Sequence, residues 1–149
     1  RSVVFRRIGS GVDWDGSRFR QLNTAVLIPF GAVLLVDRLK AMEVAADDKG
    51  KTLEANLVKL LAGRGDVVIG AETSGFALLN DPQFKDKIEM LPTPFSEEPY
   101  YLGLSKQYHG ANAELAERLW NAIGRIRKSP AYLREYEKAV RLAAKEMKE

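Results

Sequence analysis

Short runs of consecutive apolar residues alternate along this chain with stretches in which apolar residues recur every three or four positions. Residues 2–6 form a short β-prone run, and residues 9–17, with three glycines and two aspartates, read as a loop. Ala25-Val26-Leu27-Ile28 is continuously apolar and then meets Pro29 and Gly31, the pattern of a buried parallel strand that ends in a turn. A helix is expected over residues 32–42, with Val33, Leu35, Val36 and Leu39 inward and residues 37–40 forming the outer face. Residues 43–50 are polar and turn-like, with a brief strand allowed at 44–46.

The second helix is the plainest signal. Leu53, Leu57, Leu60 and Leu61 fall on one face of residues 51–63, and Gly63 or Gly65 supplies the stop. Val67-Val68-Ile69 is another buried-strand run; Thr73 or Ser74 is placed to cap a short helix through Leu79, which Asp81 and Pro82 end. Residues 88–91 and 100–105 are further strand candidates, joined by a proline-rich connection at 92–99. Two helices follow: one over 113–127 with Leu115, Leu119, Ala122, Ile123 and Ile126 inward, and one opened by Ser129 and Pro130 and running to about Met147. Strands alternating with helices imply an α/β fold with a mainly parallel sheet flanked by helices, plus a C-terminal helix pair. Ligands of such sheets sit beyond the carboxyl ends of strands, which selects the turns Pro29-Phe30-Gly31-Ala32 and Gly70-Ala71-Glu72-Thr73-Ser74.

Composition narrows the function classes. The 149 residues, 46% of them hydrophobic, are enough for a buried core without metals or crosslinks. There is no cysteine, so disulfides and Cys-based metal sites are excluded. The 23 basic and 20 acidic side chains alternate in sign, so nucleic acid is not implied, and Arg1, Arg6, Arg7, Arg18 and Arg20 read as a solvated rim. The longest apolar stretch, residues 25–36, is broken by Pro29 and Gly31 and is too short for a membrane helix. The chain begins with Arg1 and shows no leader pattern, which reads as a processed product or part of a longer chain. His109, the single histidine, lies beside Tyr108 and Gly110 in an expected loop and supports neither a metal site nor a triad; no cofactor is implied. Trp14 and Trp120 are assigned to packing.

Three stretches carry a family resemblance. Residues 57–69 hold leucines, a glycine turn with Asp66, and the strand Val67-Val68-Ile69; residues 91–106 form a Pro- and Tyr-containing connection; residues 114–127 and 132–138 are the closing helices. In this order and spacing they resemble the type 2 periplasmic solute-binding proteins, specifically the family 3 group of polar amino-acid binders and related sensor domains. Residues 3–7 and 13–16 look like that family's outward hinge crossing and its loop. The resemblance implies three parts: residues 1–20 as hinge crossing and loop, 21–92 as the second-lobe α/β domain, and 93–149 as return hinge, strand and helices of a partial first lobe. Most of a first lobe has no counterpart here. Residues 2–6 and 100–105 would then have open strand edges, inviting exchange or a homodimer.

The resemblance also implies a site. In the family a Gly-Thr or Gly-Ser pair at a helix N-terminus holds the ligand carboxylate, where backbone N–H groups and the helix dipole favour an anion. Phe30, Gly31, Ala32 and Val33 occupy that place without the hydroxyl; the other account of Gly31 is that it simply permits a tight turn. The family's ammonium-pairing Asp falls on Ala71, with Glu72 and Thr73 following; Glu72 serves there by a one-residue shift or is an exposed capping carboxylate. Losing both anchors argues against an ordinary α-amino acid and leaves open a different solute, a less polar one, or no solute at all. Phe30, Phe76, Tyr100 and Tyr101 either line the cleft or belong to the core.

The implied function is non-enzymatic binding of a small-molecule solute, periplasmic or extracytoplasmic, as the receptor of a transporter with ABC membrane subunits as partners, or as the sensor module of a signalling protein. Two alternatives share the fold: a dehydratase-like enzyme, for which Glu72 is the one plausible acid or base, and the effector domain of a transcription regulator.

Overall fold

The computed structural model describes residues 1–98 and 101–146, with side chains through residue 139. Arg1–Glu97 form one compact unit and Glu98–Ala143 a second, so residues 1–20 and 21–92 lie in the same unit.

The first unit opens with β1 (Ser2–Arg7) and a two-stranded hairpin of β2 (Asp13–Trp14) and β3 (Phe19–Arg20). It continues through β4 (Val26–Pro29), α1 (Val33–Ala41), β5 (Ala46–Gly50), α2 (Leu53–Leu61), β6 (Val67–Ala71), α3 (Glu72–Leu78) and β7 (Ile88–Met90). The main sheet runs in the order β5-β4-β6-β1-β7. β4 is parallel to β5 and to β6, while β1 is antiparallel to β6 and to β7, so four strands share a direction and β1 alone opposes them.

Side-chain alternation divides the core into two layers. Val4, Val26, Ile28, Val67 and Ile69 face Leu39 of α1 together with Trp14 and Phe95. Val3, Phe5, Leu27 and Val68 face Leu57 and Leu60 of α2, Leu78 and Phe84. The continuous apolar runs at 26–28 and 67–69 arise because both faces of these strands are covered.

Helix α2 forms as its sequence dictates. Thr52 Oγ accepts the Ala55 N–H at 3.1 Å, and Gly63 takes the left-handed conformation (φ +71°) that ends the helix. Its last turn is tied to the sheet by Arg7, whose guanidinium donates to the carbonyls of Leu60 (2.7 Å) and Gly65 (2.6 Å).

Other elements depart from the sequence pattern. In α1 only Leu39 is fully buried; Leu35 and Val36 are half-buried against the core, and Val33 is exposed. The polar segment expected as a turn at 43–50 is strand β5, which pairs only with β4 and carries Asp47, Asp48 and Lys49 as an edge strand does. Residue Ala71, with no side-chain hydrogen bond, is the N-cap of α3, so Thr73 and Ser74 lie inside the first turn and do not cap it. β1 is an interior strand with partners on both sides, which removes the open edge expected for residues 2–6 and with it that basis for a dimer.

The second unit contains α4 (Lys106–Ala111), α5 (Ala113–Ile126) and, through Ala143, α6 (Pro130–Glu146). Residues 101–105 are not a strand, and residue 100 lies outside the described residues. Ser105 Oγ accepts the Tyr108 N–H at 3.1 Å, opening a helix that the sequence did not suggest and that carries His109. The His109 ring stacks on Trp120 at 5.7 Å, and Trp120 Nε1 donates to the Leu102 carbonyl at 2.8 Å. Ser129 Oγ accepts the Tyr132 N–H at 3.2 Å, the cap expected at that position. On α5 only Ala116 is buried; Leu115, Leu119, Ile123 and Ile126, expected inward, are exposed.

Candidate ligand-binding site

Because β4 and β6 are neighbouring parallel strands, the segments that leave their carboxyl ends emerge side by side, one strand spacing of about 4.8 Å apart. The sequence-selected turns at 29–32 and 70–74 therefore share one edge of the sheet. The end of β5 at Gly50 lies on one side of this pair, and Arg1, preceding β1, on the other, with Ser2 opposite Ala71.

The first turn is held by its own backbone. Phe30 N–H donates to the Gly50 carbonyl at 2.8 Å, Ala32 N–H to Pro29 at 3.3 Å, and Val33 N–H to Gly31 at 2.9 Å. Gly31 has φ +78° with open space where a Cβ would project, so its role is conformational. Ala32 is the N-cap of α1 and contributes no side-chain bond. The side chains around this helix start are apolar and solvent-facing: Phe30 is 74% and Val33 63% exposed. Beneath the edge, buried Asn56 lays its amide against the Cα of Gly50, and any side chain at Gly50 would collide with it.

The second turn is polar. Ala71 and Thr73 are exposed. Glu72 donates its N–H to the Arg1 carbonyl at 3.2 Å, and its carboxylate lies 3.8 Å from the Arg1 guanidinium, which also contacts Glu97 at 2.7 Å. Nothing in the local sequence pointed to this trio, because Arg1 and Glu97 meet only through the pairing of β1 with the segment that follows β7. Phe76 is partly exposed on α3. Tyr100 is outside the described residues, and Tyr101, in the second unit, is exposed.

Sequence reasoning also missed a surface concavity of ≈ 620 Å³ in the first unit, at the amino end of β4 and so away from this edge; Arg18, Phe19, Asn23, Met42 and Glu43 are among its walls. Its only sequence trace would have been non-glycine residues in left-handed positions, Gln21 (φ 54°) and Glu43 (φ 58°), and that conformation is invisible in composition.

Two carboxylates in the first unit are electrostatically displaced. Asp15 lies well below the usual carboxylate range, first because Ser17 Oγ donates to it and then because the Arg18 and Ser17 N–H groups do. Asp47 is lowered chiefly by the Lys49 N–H and, with burial opposing, by Lys59 at 3.5 Å. Both are structural contacts away from the two turns. Among the described residues no three His, Cys, Asp or Glu side chains converge as a metal ion requires, and no helix is long and apolar enough to cross a membrane.

No protein-family model matches the sequence, and no curated protein matches it. Solved structures do. An ancestral arginine-binding protein bound to glutamine aligns with TM-score 0.61 and 21% identity over 92% of this chain and 58% of its own. The GluR0 ligand-binding core from Nostoc punctiforme in complex with glutamate aligns with TM-score 0.62 and 18% identity over 92% of this chain and 59% of its own. The same kind of ancestral protein bound to arginine gives TM-score 0.61 at 19% identity, with 58% of its length covered. The chain thus spans less than two-thirds of the length of the structures it matches. The chain has the type 2 periplasmic binding protein fold, with its mixed α/β sheet flanked by helices.

Proposed function

We propose that this chain is the small-molecule-binding portion of an extracytoplasmic receptor, serving transport or sensing, and that its solute contacts Phe30–Val33 and Ala71–Thr73. The observation that carries this reading is the adjacency of the two turns at the carboxyl ends of paired parallel strands, where open α/β sheets bind ligands. The matched structures are described with glutamine, glutamate or arginine bound. In this chain the edge favours a less polar solute, because the α1 start presents Phe30 and Val33 instead of a hydroxyl, and Ala71 brings no carboxylate. Catalysis would require a positioned acid or base, and Glu72 is turned onto Arg1.

Native mass spectrometry of the gently purified protein, followed by thermal-shift screening of apolar and amphiphilic small molecules, tests the proposal. The expected result is a discrete retained mass, or a stabilising solute, whose effect is lost in Val33→Asp with the circular dichroism spectrum unchanged. A binder whose effect survives Val33→Asp, or a protein that neither retains nor responds to any such molecule, would sink the assignment.

A further inference from the structure

The concavity of ≈ 620 Å³ lies at the amino ends of β4 and β5, and all its walls come from residues 17–25 and 42–45 of the first unit. The two ends of that unit, Arg1 and Glu97, are at the opposite edge of the sheet, because Ser2 pairs with Ala71 at the carboxyl end of β6 and bridges to Ser96. The length of β4 alone sets the two edges about 13 Å apart. The concavity is therefore built within this unit and is remote from both crossings. Phe19, Leu22, Met42 and Val44, half-buried against the layer that holds Trp14 and Leu39, supply its apolar part, and polar residues surround them. Apolar walls with a few polar groups are the usual make-up of a small-molecule site.

Glu43 is out of place in this wall. Helices α1 and α2 end in the same hydrogen-bonded turn. After α2, Gly63 N–H donates to the Leu60 carbonyl at 3.1 Å and Arg64 N–H to Lys59 at 3.0 Å. After α1, Glu43 N–H donates to the Lys40 carbonyl at 3.0 Å and Val44 N–H to Leu39 at 2.9 Å. This turn needs a left-handed residue at the first of the two donors, the position that favours glycine. Gly63 meets that need after α2 with φ +71°, whereas after α1 the residue is Glu43 at φ 58°. The fold gains nothing from its carboxylate, which forms no ion pair or side-chain hydrogen bond among the described residues. Strained backbone positions of this kind cluster where a side chain must be presented to a ligand.

The charge that Glu43 brings is uncompensated at the concavity. Arg18, the one basic side chain in its walls, is held by Asp15 at 3.5 Å. Arg38 and Lys40 of the last turn of α1 are not among the walls. The carboxyl end of α1, which terminates there, adds the negative pole of the helix dipole.

We infer that this concavity is a second ligand site, which takes a small organic cation: an ammonium group against Glu43 and the end of α1, and an apolar body on Phe19, Leu22, Met42 and Val44. The inference does not depend on the proposed solute, whose contacts are at the opposite edge of the sheet.

Titration of the isotope-labelled chain with phenethylamine, followed residue by residue through amide NMR, tests it. Saturable shifts are expected at residues 18–25 and 42–45 and not at 30–33 or 71–73. The carboxylate 3-phenylpropionate, with a similar body and the opposite charge, should leave the same amides unmoved. Glu43→Gln should weaken amine binding by about threefold or more. Glu43→Gly should weaken it at least as much while raising the unfolding midpoint by about 1–4 °C, because it relieves the left-handed position. A carboxylate that served only the fold would not give a protein that is more stable and binds less. No saturable shift at millimolar amine, shifts confined to 30–33 and 71–73, an equal response to 3-phenylpropionate, or a Glu43→Gly protein that is less stable or binds the amine unchanged would each overturn the assignment.

Discussion

Helices α2 and α5 carry the same kind of sequence signal and meet opposite fates. In α2 the leucines at 57 and 60 are fully buried between the helix and the β4-β6-β1 region of the sheet. On α5 the leucines at 115 and 119 and the isoleucines at 123 and 126, at equivalent helical spacing, are exposed. Periodicity specifies which residues share a face; whether that face is buried depends on what the rest of the fold sets against it. For α2 the sheet supplies a complementary apolar layer, worth roughly 1.5–3 kcal/mol for each leucine removed from water. On α5 the stripe stays 37–55% exposed and goes without that gain.

The widest gap between the two helices should appear on truncation. Leu57→Ala removes a fully buried side chain from a two-sided core and is expected to destabilise by about 2–5 kcal/mol. Leu119→Ala, at an exposed position, is expected to cost no more than about 0.5 kcal/mol in dilute solution. Urea denaturation followed by circular dichroism measures both. Equal penalties at low protein concentration would mean that the α5 stripe is already covered within a single chain, and the contrast between the helices would collapse.

The same contrast explains what was legible in the sequence. Val67-Val68-Ile69 and Leu57 to Gly63 were readable because local pattern and tertiary environment agree there, as were the β4 turn and the Ser129 cap. β5 was not readable, since Ala46-Asp47-Asp48-Lys49-Gly50 is a strand only through its partner β4, and its charges suit an unpaired outer edge. Residues 101–105 failed in the reverse direction: Tyr101 and Leu102 have β-prone chemistry, yet the segment is not a strand. β1 was recognised as a strand yet misplaced in the sheet, because nothing local records that its neighbours are β6 and β7. At the edge where β4 and β6 end, the two turns were read from strand-then-glycine punctuation and position. The ion pairs joining Arg1 to Glu72 and Glu97 depend on contacts some 70 and 96 positions apart, which no local motif encodes.

Two helical glycines sharpen the comparison at smaller cost. Gly75 in α3 lies directly on the Phe5 ring, where a Cβ would collide, whereas Gly124 in α5 has open space at the same point. Alanine is preferred over glycine within a helix by about 1 kcal/mol. Gly124→Ala should therefore stabilise its helix by roughly 0.5–1 kcal/mol. Gly75→Ala should destabilise by about 1–3 kcal/mol, because displacing Phe5 from the closed layer outweighs the gain in propensity. Thermal unfolding of the two variants gives the signs directly. If both stabilise, the α3 contact with Phe5 is loose, and the first unit is less tightly packed than its burial implies.

The smallest effect concerns a part of the first unit that, like the helical unit, has short-range polar contacts. Asp15 organises the β2–β3 hairpin by accepting from Ser17 Oγ at 2.8 Å and from the Ser17 and Arg18 N–H groups at 3.0 Å, with Arg20 at 3.3 Å. This hairpin sets Trp14 and Phe19 against Phe95, with Trp14 centred 4.6 Å from Phe19 and 5.1 Å from Phe95. Because these donors favour the carboxylate, its folded pKa is depressed. Such a group contributes stability that is present above its unfolded pKa of about 3.9 and is lost as pH falls through the folded value. Lowering the pH below about 4 should therefore loosen the hairpin in the native sequence. In Asp15→Asn this part of the acid dependence should be absent, and the variant should be the weaker of the two at neutral pH. Trp14 fluorescence along an acid titration follows the hairpin specifically, and parallel titration curves for the two proteins would show that the aromatic cluster, not the Asp15 network, sets the hairpin's position.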